Sequence, residues 1–196
     1  MELFNKLFGS LLVFVYHCFD RIVIHGYGLN QLRYDLRKMR AHALLERDGK
    51  RYACDPGLHA VREVTKKPVL GIAECGILTA LTLGQKFGVI AILQKSIARH
   101  LRYMGALGVL DRLAAELPVG LGVTELSDEK KTFGRMVETG GKLRDDHGAD
   151  VVVMGCGGMA PYRKRLQDAL GLPVVEPTQA AGAMAIGRVR LGWHVG

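Results

Sequence analysis

Two of the four cysteines stand where a thiol can do chemistry. Cys156 lies in "VVVMGCGGMA", residues 151–160, after four apolar residues and Gly155 and before Gly157 and Gly158. That order reads as a buried strand, a turn almost bare of side chains, and the start of a helix. The glycines let the backbone come close to a ligand, which makes Gly157 and Gly158 candidate substrate contacts. The unpaired amides of a first helical turn point outward with the positive end of the helix dipole. A thiolate is stabilised there, and a substrate oxygen that gains negative charge can be held by the same amides. The residues alone equally describe a small buried hydrophobe closing a strand. Cys54, in "YACDPGLHAVREV", also precedes a helix: Pro56 suits a first helical turn and Gly57 a tight approach. Two thiols at helix starts can face each other across a cleft between two lobes, but spacing does not establish that they do.

The elements that must position these thiols form an alternating series from Pro68 onward. The β-rich runs "PVLGI", "GVIAIL", "VGLGVTEL", "VVVMG" and "LPVVEP" alternate with helical stretches over 74–85, 96–106, 128–147 and 159–170. Such alternation predicts an α/β fold of βαβ units with a mainly parallel sheet. Ligands then collect at the carboxyl ends of the strands, where "VMGCGGM" and "GIAEC" both fall. Glu74 opens the helix after "PVLGIA" and reads as a partner for amides at that helix start or as a neighbour of the site. Ser96, after "GVIAIL", reads as a helix N-cap.

Residues 1–50 read as a helical segment. The apolar run "LFGSLLVFVYHCF" (7–19) is shorter than the roughly 20 residues that span a bilayer, and Asp20 and Arg21 close it. A buried or interface helix is the expectation there, rather than a membrane span or a signal peptide. A second helix over 29–47 aligns Leu29, Leu32, Leu36, Met39 and Ala43 on one stripe.

Composition narrows the class. With 48% hydrophobic and 23% charged residues in 196, the chain is a folded α/β protein rather than a disordered one. The net charge of +8 is spread along the sequence, which fits a solvated basic face better than a nucleic-acid site. Four scattered cysteines with no CxxC pair argue against a disulfide framework and against zinc, and fit reduced thiols in a cytoplasm.

Taken in order, "ACDPGLHAVRE", "PVLGIAEC", "FGVIAIL", "GADVVVMGCGGMA" and "LGLPVVEPTQAA" resemble the aspartate/glutamate/hydantoin racemase superfamily, specifically its hydantoin and allantoin racemase branch. The resemblance covers residues 53–193. It implies a two-lobed α/β fold with parallel sheets, no cofactor and no metal, a small-molecule substrate, and commonly a homo-oligomer. The second lobe would run over about 74–172. The first, with 53–73 and 173–196, would be incomplete and preceded by the unrecognised helical segment 1–50. Cys54 and Cys156 match the family's two catalytic thiols, and Ser96 matches a region that contacts substrate carbonyl oxygens. The implied activity is an isomerase reaction: one thiolate takes a proton alpha to a carbonyl of a hydantoin-type or allantoin-type cyclic ureide, and the opposing thiol returns one on the other face. Thiols with an ordinary pKa near 8.5 can be tuned to divide those roles. An amino-acid racemase of the same superfamily, or a truncated or recombined remnant without turnover, are the alternatives.

Overall fold

The computed structural model describes residues 13–18, 21–25, 55, 58–64, 68–121 and 128–193. In chain order these form β1 (Val13–Cys18), β2 (Arg21–His25), α1 (Leu58–Val64), β3 (Val69–Gly71), α2 (Ile72–Leu81), β4 (Phe87–Ala91), α3 (Gln94–Ala106), β5 (Leu113–Pro118), α4 (Glu129–Asp145), β6 (Val151–Met154), α5 (Arg163–Leu170), β7 (Val174–Val175) and α6 (Pro177–Arg190). They divide into two units: the described residues up to Ile72 with those from Ala181 onward, and Ala73–Ala180.

The first unit corrects one expectation. The apolar run over 7–19 was expected to be a helix, but it contains β1, which pairs antiparallel with β2 from Phe14↔His25 to Cys18↔Arg21. An unbroken apolar run cannot separate helix from strand by periodicity. The β-branched and aromatic content of "VFVYHC" and "RIVIH" favours the strand. β1 also pairs parallel with β3, Val13↔Val69 to Val15↔Gly71, giving the sheet order β2-β1-β3. The helix expected over 29–47 lies outside the described residues.

Within this unit the end of β3 is tightly shaped. Arg62 on α1 donates from Nε and Nη2 to the carbonyl of Val69, at 3.2 and 2.9 Å. Asp55 is buried with φ +45°, the left-handed region that non-glycine residues seldom occupy. Its carboxylate fills the space beside Gly71: a methyl group there would lie 2.2 Å from Asp55 Oδ2.

The second unit holds a fully parallel sheet in the order β5-β4-β6-β7. Ile90, Val152 and Met154 pack with Met136 and Leu143 of α4 and Leu166 of α5 in one core. Asp150, just before β6, accepts from the amides of Gln85 and Lys86 at 2.8 and 3.0 Å, and its own amide donates to the Lys86 carbonyl. This ties the starts of β4 and β6 together and aligns their ends.

Two further expectations change here. The strand expected in "VGLGVTEL" lies mostly outside the described residues; 119–121 are not in a strand, and β5 is the preceding "LAAELP", which ends at Pro118. A 3-10 turn at Leu110–Arg112 delivers the chain to the sheet at once, and pairing with β4 outweighs the poor strand propensity of Ala-Ala-Glu. The second difference concerns "PVVEP", expected in the first lobe. β7 instead pairs parallel with β6, Val152↔Val174 and Val153↔Val175, and both β7 valines are buried. Among the described residues, no helix is long and apolar enough to cross a membrane.

Candidate active site

The order β5-β4-β6-β7 creates a switch point. The crossover from β4 through α3 reaches β5 on one side, and the next, through α4, passes back over β4 to β6 on the other. Loops leaving β4 and β6 therefore part in opposite directions and open a crevice at the carboxyl ends of the two strands, the usual ligand position in such sheets.

Cys156 stands at that crevice. Gly155 extends the β4–β6 contact one step past β6, its amide donating to the carbonyl of Ile90 at 2.8 Å. A methyl group on Gly155 would meet that same oxygen at 2.6 Å, so only glycine brings the chain this close. Cys156 follows with extended backbone, φ −152° and ψ 134°, and its carbonyl accepts from the Met159 amide at 3.0 Å. The thiol is half-buried. The expected helix over 159–170 is split: a 3-10 segment, Gly157–Tyr162, follows the thiol directly, and α5 proper begins at Arg163. So short a segment has little macrodipole, and the nearby amides of Gly157 and Gly158, both exposed, are the local source of positive potential. Tyr162 closes the segment by stacking on Phe133 of α4 with ring centroids 6.3 Å apart.

Of the other expected site residues, Ser96 shares this edge of the sheet, since α3 leaves β4 there. It is not the N-cap: that position is Leu93, and Ser96 is the third residue of α3, its hydroxyl donating to the Leu93 carbonyl at 2.7 Å. Its oxygen retains acceptor capacity. Glu74 lies in the first turn of α2, half-buried. Cys75 next to it is 1% exposed, a packing residue. Cys54 lies outside the described residues. Among the described residues, no group of three His, Cys, Asp or Glu could hold a metal ion.

The structure adds two residues to this edge. Glu176, 2% exposed, accepts from the amides of Thr178 and Gln179 with its two carboxylate oxygens, at 2.9 and 2.8 Å. It thereby caps α6, whose first residue is Pro177. Pro177 packs on α2, where a methyl at Gly76 would lie 3.0 Å from its ring. Thr178 is exposed, and its Oγ1 lies 3.9 Å from where a methyl on Gly157 would sit. The signal for this cap was Pro177 at a first helical turn, but glutamate is outside the usual N-cap set of Ser, Thr, Asp and Asn.

With a parallel sheet, its switch point and a thiol at the end of β6 described, comparison with known proteins decides the family. The Asp/Glu/hydantoin racemase family matches residues 52–185, more than half of the chain. The chain belongs to that family. Its similarity lies in the hydantoin and allantoin racemase branch. A hydantoin racemase of Paenarthrobacter aurescens is 34% identical over 142 residues, 71% of this chain and 60% of that protein. An allantoin racemase of Pseudomonas fluorescens superposes with a TM-score of 0.65 at 30% identity, covering 69% of this chain and 58% of the other. A glutamate racemase of Bacillus anthracis shares the fold over 97% of this chain and 76% of its own, with TM-score 0.58 at 13% identity. The chain thus spans about 60% of the length of the hydantoin racemase it matches. The stretch matching the racemase family includes Cys54, Glu74, Ser96 and Cys156, and also Glu176 and Thr178.

Proposed function

We propose that the chain is a cofactor-independent racemase of a hydantoin-type or allantoin-type cyclic ureide, with Cys156 and Cys54 as opposed proton carriers. The observation that carries this reading is the position of Cys156: a half-buried thiol held by the Gly155–Ile90 contact at the switch-point crevice. In one direction the thiolate of one cysteine takes the proton from the stereocentre. The C–H bond breaks, an S–H bond forms, and the electron pair moves into the adjacent carbonyl to give a planar enolate. The thiol of the other cysteine then delivers its proton to the opposite face. The centre inverts, no atom is lost, and the two sulfurs exchange protonation states, which readies the pair for the opposite enantiomer. A pair coupled this way titrates as a unit.

The surrounding residues take supporting parts. The amides of Gly157 and Gly158 face the negative oxygen of the enolate, preorganised donors being most useful where charge develops. Ser96 in the first turn of α3 contacts a ring carbonyl through a bridging water or after rotation of its hydroxyl away from Leu93. Glu74 borders the site from the first turn of α2. The match to hydantoin and allantoin racemases supports the substrate class.

The test is a single enantiomer of a 5-substituted hydantoin in deuterated water. Turnover is expected to remove optical rotation while deuterium enters at the stereocentre in step. A folded chain that leaves the stereocentre undeuterated would favour the non-catalytic remnant, and exchange at the α-carbon of an amino acid instead would favour an amino-acid racemase.

A further inference from the structure

We infer that Thr178 is a specificity-determining residue of the Cys156 site, its hydroxyl hydrogen-bonding a ring heteroatom of the bound ureide. The inference rests on the racemase reading for the identity of the ligand. Its structural basis is the space beside the thiol. Gly157 directly follows Cys156 and carries no side chain, so a planar ring brought against the sulfur has room above Gly157. The boundary of that room is Thr178: its Oγ1 is 3.9 Å from the position a methyl on Gly157 would take, and the residue is exposed.

The backbone that carries this hydroxyl is held by a hydrogen-bonded turn. Both carboxylate oxygens of buried Glu176 are engaged by the Thr178 and Gln179 amides, which fixes the backbone that carries Thr178. Pro177 locks one dihedral and packs on Gly76 of α2, so the turn has little freedom on its other side. A hydroxyl can both donate and accept, which suits a ureide ring that offers N–H and C=O groups along one edge. Thr178 therefore acts on recognition, while the proton steps belong to the thiols.

The test uses the full chain and D,L-5-benzylhydantoin as the probe, with two readouts. The first is protection of Cys156 from iodoacetamide, followed by peptide mapping. The hydantoin concentration for half protection is expected to rise about tenfold in Thr178→Val, the scale of one lost hydrogen bond to a ligand, and to stay within about threefold of wild type in Thr178→Ser. The second is racemisation, where Thr178→Val is expected to raise KM by a similar factor with kcat changed by less than about threefold, the signature of lost ground-state binding. Unchanged protection in folded Thr178→Val overturns the inference, as does the absence of protection in every chain. Protection that shifts as expected in a wild-type chain that does not racemise the probe leaves recognition by Thr178 standing and removes the racemase reading.

Discussion

Gly155 and Gly71 each lie at the end of a buried strand, and each leaves no room for a methyl group, but against different neighbours. Gly155, just before Cys156, meets the backbone carbonyl of Ile90. Gly71, at the end of β3, meets the side chain of Asp55, the residue after Cys54. On the Cys156 side the constraint is sheet geometry, which cannot yield without separating β4 from β6. At Gly71 it is a packed side chain on a residue held at φ +45°. The first arrangement fixes a thiol through the framework of a parallel sheet, and the second shapes the chain locally through one strained residue.

Substitution separates the two cases, and the largest effect is expected at Gly155. Gly155→Ala should destabilise the second unit by about 3 kcal/mol, because overpacking against backbone has no side chain to displace. Chemical denaturation measures the loss, and no side-chain truncation nearby should restore it. Gly71→Ala should cost about 2 kcal/mol, since the Asp55 carboxylate must move. Here Asp55→Gly should restore at least half, as it removes the obstructing group and relieves the positive φ. Failure of that rescue would shift the main obstacle to Leu58, whose Cδ2 would lie 2.8 Å from the same methyl.

Next in size is the cap on α6. Glu176→Ala removes a buried carboxylate that accepts two amide hydrogen bonds and should cost about 2 kcal/mol. Glu176→Gln, which keeps one carbonyl acceptor, should cost less. Equal losses would mean that charge, and not the bonds to Thr178 and Gln179, gives the cap its value. The two described cysteines of the second unit provide a comparison of reactivity: Cys156, half-buried, should react with iodoacetamide near neutral pH at least about tenfold faster than Cys75. Peptide mapping that finds Cys75 labelled first would contradict the position assigned to Cys156.

The smallest effect is expected on the exposed face of α4. A hydrogen bond from Lys142, with the charges of Arg135 and Lys142, holds the Glu138 carboxyl below its ordinary value. A folded-state pKa below the unfolded one stabilises above the unfolded pKa, and the benefit is lost as pH falls through the lower value. Because the group is fully exposed, Glu138→Gln should move the melting temperature by no more than about 2 °C at neutral pH. That change sets the background against which the glycine and cap variants are judged.

How much of this was legible in the sequence differs by element. β4, β6 and the helices around them followed from alternating β-rich and helical stretches, and Cys156 at a strand end followed from Gly-Cys-Gly-Gly after four apolar residues. β5 did not, because "LAAELP" lacks strand propensity and owes its conformation to pairing with β4, a long-range effect. β1 hid inside an apolar run whose period carries no information, and β2 in the residues beyond it. Ser96 was legible as following β4, but the cap was not, since the N-cap fell on Leu93. Glu176 and Thr178 escaped notice because their importance depends on the approach of the β7–α6 turn to Gly157, a tertiary contact between residues distant in the chain.

The central claim is that Cys156 carries a proton, and the most direct measurement is turnover by Cys156→Ser. A serine hydroxyl is too weak an acid and too poor a base to replace a thiol in proton transfer at carbon. With each enantiomer of a 5-substituted hydantoin in turn, kcat/KM for racemisation should fall by about 1000-fold or more relative to wild type, the scale of a lost acid/base group. The variant should keep its circular dichroism spectrum, because one oxygen for one sulfur at a half-buried position leaves the Gly155–Ile90 contact intact. Racemisation by Cys156→Ser within about tenfold of wild type would contradict the claim.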